Sequence, residues 1–125
     1  MTRINVVPVT ELTDKHLISE YREITRLPGN LNKSLNRKSK PFSMSEIPPA
    51  YKLGTGHVRF FYDKMKYLHT RYDQLVSEML RRGFNPKFRE GTVFTQVPSK
   101  FYGEYTPTSE AMELNRERIR ERLGL

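Results

Sequence analysis

Cysteine is absent from the 125 residues, which excludes disulfide staples and thiolate zinc sites. Histidine is scarce: His16, His57 and His69 stand apart without ligand spacing, so no metal site built on side-chain nitrogen is expected. No apolar run approaches the roughly 18 residues that span a bilayer, and mean hydropathy is −0.70. The N-terminus has no hydrophobic segment of signal-peptide type, so a cytoplasmic protein with no membrane partner is expected. Internal repeats and low-complexity segments are missing too. The run Gly54-Thr55-Gly56-His57 lacks the Gly-Lys-Ser/Thr ending of a Walker loop.

Acidic residues are also in deficit: 14 Asp and Glu stand against 22 Lys and Arg, a net charge of +8 at pH 7. With a pI near 9.9, this is the electrostatic footprint of a polyanion binder or, more blandly, of a basic surface without a partner. The distribution favours the first. Residues 15–40 hold seven basic and two acidic groups, a local net of +5. The length suits a single domain spanning 1–125, with one modest core.

Periodicity predicts an all-α fold of three main helices joined by long irregular connections. The first runs from Asp14 to about Arg26, capped by Thr13 or Asp14. Leu17, Tyr21 and Ile24, at i, i+4 and i+7, form its buried face. Lys15, Arg22 and Arg26 lie within about 20° of one line on another face, with Glu23 about 80° to its side and His16 close to Glu23 in angle. Pro28 and Gly29 are expected to kink this helix or split it in two. Beyond them Leu31 and Leu35 continue the apolar line, and Lys33 and Arg37 the basic one. Residues 39–62 read as an irregular connection ordered by Phe42, Ile47, Tyr51 and Leu53. The second helix is capped by Asp63, buries Met65, Leu68, Tyr72, Leu75, Val76 and Met79, and ends at Gly83. Phe84, Phe88, Phe94, Phe101, Tyr102 and Tyr105 are then expected to anchor loops over the helices, with an edge strand near 92–96 conceivable. The third helix runs from about Thr108 to Leu123, where Glu113–Arg116 and Glu117–Arg120 are expected to pair.

Thr2, behind the initiator Met, offers chemistry. Removal of Met1 would free an α-amine whose reference pKa is about 7.7–8, against about 10.4 for lysine. It is therefore unprotonated roughly a hundred times more often at neutral pH. A neutral amine beside a carboxylate and a basic surface suits imine formation at a sugar carbon. Glu23 is the candidate to stabilise positive charge growing on that sugar and then to shuttle protons. Lys15, Arg22, Arg26, Lys33 and Arg37 suit a phosphate track, although a solvated helix face is the equal alternative. Arg3 adds a cation next to the amine, Arg118 and Arg122 could close a groove, and His16 is a candidate to line the site.

These residues resemble the pyrimidine-dimer DNA glycosylases of the phage endonuclease V family. The match runs through Met1-Thr2-Arg3-Ile4-Asn5, His16-Leu17, Glu20-Tyr21-Arg22-Glu23 and Arg26. It resumes at Leu53-Gly54, Gly56-His57-Val58, Phe60-Phe61-Tyr62-Asp63-Lys64, Arg82-Gly83-Phe84-Asn85, and Gly103 with Tyr105 and Pro107. The resemblance implies an N-terminal segment threaded between the helices, and no cofactor. The implied protein is a monomer acting on double-stranded DNA with a pyrimidine lesion, in a host's cytoplasm and on its nucleoid. It implies Thr2 as the nucleophile of a glycosylase with β-elimination lyase activity, Glu23 as its partner, and Arg3, Arg22, Arg26, Arg118 and Arg122 as phosphate or lesion contacts. Lys15 stands where relatives usually have Gln, and the phage member continues past the position of Leu125 into an aromatic and basic tail. An abasic-site lyase, a glycosylase for another damaged pyrimidine and a non-catalytic DNA-binding module remain the alternatives.

Overall fold

In the computed structural model, which describes residues 4–125, Thr13 starts the first helix by accepting from the His16 N–H at 3.3 Å. This cap satisfies one of the free amides of the first turn. Helix α1 spans Asp14–Ile24, with Leu17 and Ile24 fully buried and Tyr21 half-buried. The break comes at Thr25, earlier than the Pro28-Gly29 interruption that the sequence suggests, and α2 runs Arg26–Leu35. Pro28 is the third residue of α2, where a backbone N–H has no partner inside the helix, so the ring costs no hydrogen bond. Leu27, Pro28 and Leu31 are its buried residues.

The connection that follows contains more helix than expected. A single helical turn, Met44–Glu46, is closed by a capping box in which Glu46 Oε2 accepts from the Ser43 N–H at 3.0 Å. Phe42 and Tyr51 are buried where the chain crosses the core. Gly54 and Gly56 then take φ of 72° and 90° and turn the chain into the short α3, His57–Phe60. Helices of one turn leave no periodic signature, which is why the sequence reads as irregular here.

Helix α4, Met65–Arg81, is the central element, and all six expected stripe residues are buried. The residue before it is Lys64, not Asp63 as expected, and it makes no side-chain cap. Asp63 instead accepts from the Lys64 ammonium at 2.7 Å. The helix ends in a Schellman motif: Phe84 N–H reaches Met79 O at 2.9 Å and Gly83 N–H reaches Leu80 O at 3.1 Å, with Gly83 at φ 90°. Helix α1 packs along α4, and Arg82 ties the two by a 3.0 Å ion pair to Asp14.

Among the described residues no strand forms. The 92–96 region is a helical turn, Thr92–Thr95, and the sole β contact is an isolated bridge between Lys64 and Tyr102. Phe94 and Phe101 are fully buried, each contributing on the order of 1.5–3 kcal/mol. Phe84, Tyr102 and Tyr105 are half-buried. Phe88 departs from the expected anchoring role, since 68% of it is exposed.

Helix α5, Ser109–Arg122, is capped by Thr108, which accepts from the Ala111 N–H at 3.0 Å. Only Ala111 and Asn115 of α5 are buried. Its arginines do not make the i, i+3 pairs expected from spacing. Arg116 instead grips Glu11 with two hydrogen bonds at 3.1 and 2.9 Å, and Arg120 reaches Glu113 at 3.4 Å. A bidentate partner in another segment outcompetes a neighbour on the same helix. Among the described residues no helix is long and apolar enough to cross a membrane.

Candidate active site

Residues Ile4, Asn5, Val6 and Val7 are buried yet lie outside any helix or sheet, so their backbone groups need partners from elsewhere. Side chains supply them. Asn115 Oδ1 accepts from the Val6 and Val7 N–H groups at 2.7 and 3.2 Å, while its Nδ2 donates to Asn5 Oδ1 at 2.8 Å. Asn5 Nδ2 donates in turn to Glu20 Oε1 at 2.9 Å. Arg71 holds Glu20 through Nε and Nη2 and gives Nη1 to Val7 O at 2.7 Å. Helices α1, α4 and α5 thus meet on one four-residue segment.

His57 takes the upstream end of that segment. Its Nε2 accepts from the Ile4 N–H at 3.1 Å, and its Nδ1 lies 2.8 Å from Lys52 O. An amide demands an acceptor and a carbonyl demands a donor, so the ring is the neutral tautomer carrying its proton on Nδ1. Tyr51 adds a bond from its hydroxyl to Ile4 O at 3.3 Å. Burial pushes the Tyr51 phenol well above its ordinary range, so it remains a donor.

Among the described residues Glu20 and Arg71 form the most deeply buried ion pair, with 0% and 4% of their side chains exposed. Burial opposes the Arg71 charge, but Glu20 beside it prevails and holds the guanidinium more firmly protonated than usual. Such a pair adds little net stability against apolar residues of the same size. Losing one member costs about 3–5 kcal/mol because the other stays buried and charged.

Glu23 sits three residues beyond Glu20 on α1. Its side chain is 25% exposed and accepts from Arg26 Nη1 at 3.1 Å. Lys15, Arg22, Arg26 and Lys33 are all exposed, so the cations of α1 and α2 face solvent as a polyanion contact requires. His16 differs: it is buried, its Nδ1 has no hydrogen-bond partner among the described residues, and burial first, then Lys15, lowers its pKa below 6.5. Arg118 lies 3.4 Å from Glu121 and is partly exposed, and Arg122 is exposed. Among the described residues no hydrogen bond or ion pair joins either of them to α1. Thr2 and Arg3 lie outside the described residues.

An exposed cationic surface on two helices, a partly exposed carboxylate within it and residues 4–7 clamped one helical turn away suit chemistry on a phosphate-bearing substrate. The sequence model described as pyrimidine dimer DNA glycosylase matches residues 1–89. The chain belongs to the pyrimidine dimer DNA glycosylase family. It is a DNA repair glycosylase whose substrate is DNA. The matched region contains α1 to α4, hence the Glu20–Arg71 pair, His57 and Glu23. Asn115, on α5, lies outside it.

Glu20 and His57 fall within the matched blocks, but the part that Glu20, Arg71 and Asn115 play in clamping the segment escaped the sequence reading. Glu20 and Arg71 left a faint signal: opposite charges on the inner faces of two apolar helices, Arg71 between Leu68 and Leu75 and Glu20 three residues after Leu17. Asn115 left none, because its partners lie 108 to 110 positions away.

Proposed function

We propose that this glycosylase is also a lyase, with the Thr2 α-amine as nucleophile and Glu23 as the carboxylate that serves it. The amine adds to C1′ of a nucleotide at the lesion, and the bond from C1′ to the base breaks with the base leaving protonated. Ring opening gives an imine between the Thr2 nitrogen and C1′. Glu23 balances the positive charge on the sugar and takes a proton from C2′, whereupon the 3′ phosphate departs and the strand is cut. Water then hydrolyses the imine and frees the amine. The substrate proposed is double-stranded DNA carrying a cyclobutane pyrimidine dimer, held by Arg3, Lys15, Arg22, Arg26, Lys33, Arg118 and Arg122.

The observation that carries the reading is the clamp on residues 4–7. Asn5 is bonded to Glu20, one helical turn before Glu23. The three residues from Thr2 to Asn5 span at most about 10 Å, so chain length allows the amine to reach the carboxylate. Borohydride reduction tests it: the protein should become covalently joined to dimer-containing DNA through its N-terminal residue. Glu23→Gln should bind the damaged duplex with near-parent affinity while cleavage falls at least a hundredfold. Parent-like cleavage by Glu23→Gln, or trapping through a lysine, would overturn the mechanism.

A further inference from the structure

Phe88 is held in a way that its exposure does not explain. Single exposed apolar residues are ordinary, but their backbones are seldom fixed by buried side chains. Here the Tyr21 hydroxyl accepts from the Phe88 N–H at 3.0 Å and donates to its carbonyl at 2.6 Å, and the Tyr72 hydroxyl donates to the same carbonyl at 2.8 Å. The two phenol rings stack with centroids 5.8 Å apart, and Tyr72 is 1% exposed. Burial pushes the Tyr72 phenol up to about 12, so it keeps its proton. Both polar groups of one loop residue are thereby tied to α1 and α4, while its ring projects into solvent with 68% of the residue exposed.

The surroundings of the ring are cationic. Lys87 Nζ lies 5.6 Å from its centroid. Arg22, from the exposed basic line of α1, borders with Lys87 and Phe88 a surface recess of about 400 Å³. Arg89 is folded back onto the loop through Pro86 O and Asn85 Oδ1, and Glu90 is the only acid on this loop. An aromatic face fixed among cations matches unstacked nucleic acid, where phosphates meet the charges and a base meets the ring.

We propose that Phe88 is a DNA-contacting residue that stacks on a base unstacked at the lesion, on the side of the duplex gripped by Arg22 and Lys87. This rests on the reading of the chain as an enzyme of damaged DNA. The pinned backbone spares the complex the entropy of ordering the loop, and the ring rewards a distorted duplex over an intact one because only the former offers a base face.

The chain contains no tryptophan, so Phe88→Trp supplies a single reporter. Its fluorescence should be strongly quenched at saturation with a duplex carrying one thymine dimer and little changed by the undamaged duplex. Phe88→Ala should bind the damaged duplex roughly 5- to 100-fold more weakly, and Phe88→Tyr should stay within about twofold of the parent. Thermal unfolding of all three variants should match the parent, since the ring is exposed. Unquenched Trp in a saturated damaged complex, equal quenching by both duplexes, or parent-like binding by Phe88→Ala would each overturn the proposal while leaving the glycosylase reading intact. A parent chain that neither binds nor excises at the dimer would sink both together.

Discussion

Replacing Asn115 by Ala removes one side chain that satisfies three buried polar groups: the Val6 and Val7 amides and Asn5 Oδ1. Asn115 is 0% exposed, and Val6 and Val7 are 3% and 0% exposed, so the groups left behind have no ready access to water. Each buried donor or acceptor without a partner costs about 1–3 kcal/mol. Water entering the vacated space would restore part of this, which favours a total of about 3–6 kcal/mol. That is a large fraction of the roughly 5–15 kcal/mol that keeps a domain folded. Urea unfolding of parent and variant gives the difference, with Leu114→Ala, at an exposed position of the same helix, as a control costing about 0.5 kcal/mol or less. Asn115→Asp keeps the acceptor for both amides, but it buries a carboxylate against Asn5 Oδ1, which loses its donor, so it should cost at least as much as Ala. Under conditions where every variant is folded, borohydride trapping should decline in the same order. An Asn115→Ala protein within about 1 kcal/mol of the parent would refute the argument that these bonds hold the segment.

The buried ion pair predicts a split between stability and activity. Glu20→Gln should cost about 3–5 kcal/mol by stranding Arg71. Measured by urea unfolding, Glu20→Leu with Arg71→Met should recover the part due to the stranded charge. It should not recover about 1–3 kcal/mol for each of Asn5 Nδ2 and Val7 O, which lose their partners, and it should trap DNA poorly. In acid, Glu78 is the group to watch: hydrogen bonds from Arg81 and then Arg82 hold its carboxyl down from 4.5 to about 2. The unfolded chain therefore takes up this proton first, so stability is whole above about 4.5 and drains as pH falls towards 2. Glu78→Gln should flatten that part of the stability–pH curve measured by thermal unfolding. Finally, Arg22→Ala should lower the slope of log affinity against log salt by about one, leaving base preference little changed, if Arg22 meets a phosphate. An unaltered slope would take Arg22 out of the interface.

Much of the helical frame was legible because apolar periodicity is a local property. The six-residue stripe of α4, its stop at Gly83 and the Thr108 start of α5 needed no information beyond neighbouring positions. The Thr25 break was not legible, since a proline in the first turn of a helix reads the same as one that ends it until the preceding residues are seen. Spacing also named the wrong partner for Arg116, because a helix face says who is near along the helix and nothing about Glu11 across it, and for Arg120, which reaches back two turns to Glu113. The exposed cations of α1 and α2 and the partly exposed Glu23 could be named from their angles. The roles of Glu20, Arg71 and Asn115 in fixing residues 4–7 could not. Asn115 on a polar helix looks like surface, and its role exists only once the fold brings position 115 to positions 5–7.

That division has a physical reason in the proposed chemistry. A nucleophile at the chain terminus has no side chain of its own to aim it, so its position is set by where the backbone behind it is held. Apolar packing of Ile4, Val6 and Val7 would bury the segment but specify its register loosely, since similar residues can exchange places. Hydrogen bonds to the Val6 and Val7 amides, the Val7 carbonyl and the Asn5 side chain cannot all survive a slip. One residue of slip in an extended chain moves the terminus by about 3.3 Å, the whole distance between reacting atoms poised to react. A buried polar clamp is therefore an arrangement suited to the proposed mechanism: three helices and His57 direct hydrogen bonds to four residues and so fix the register of residues 4–7.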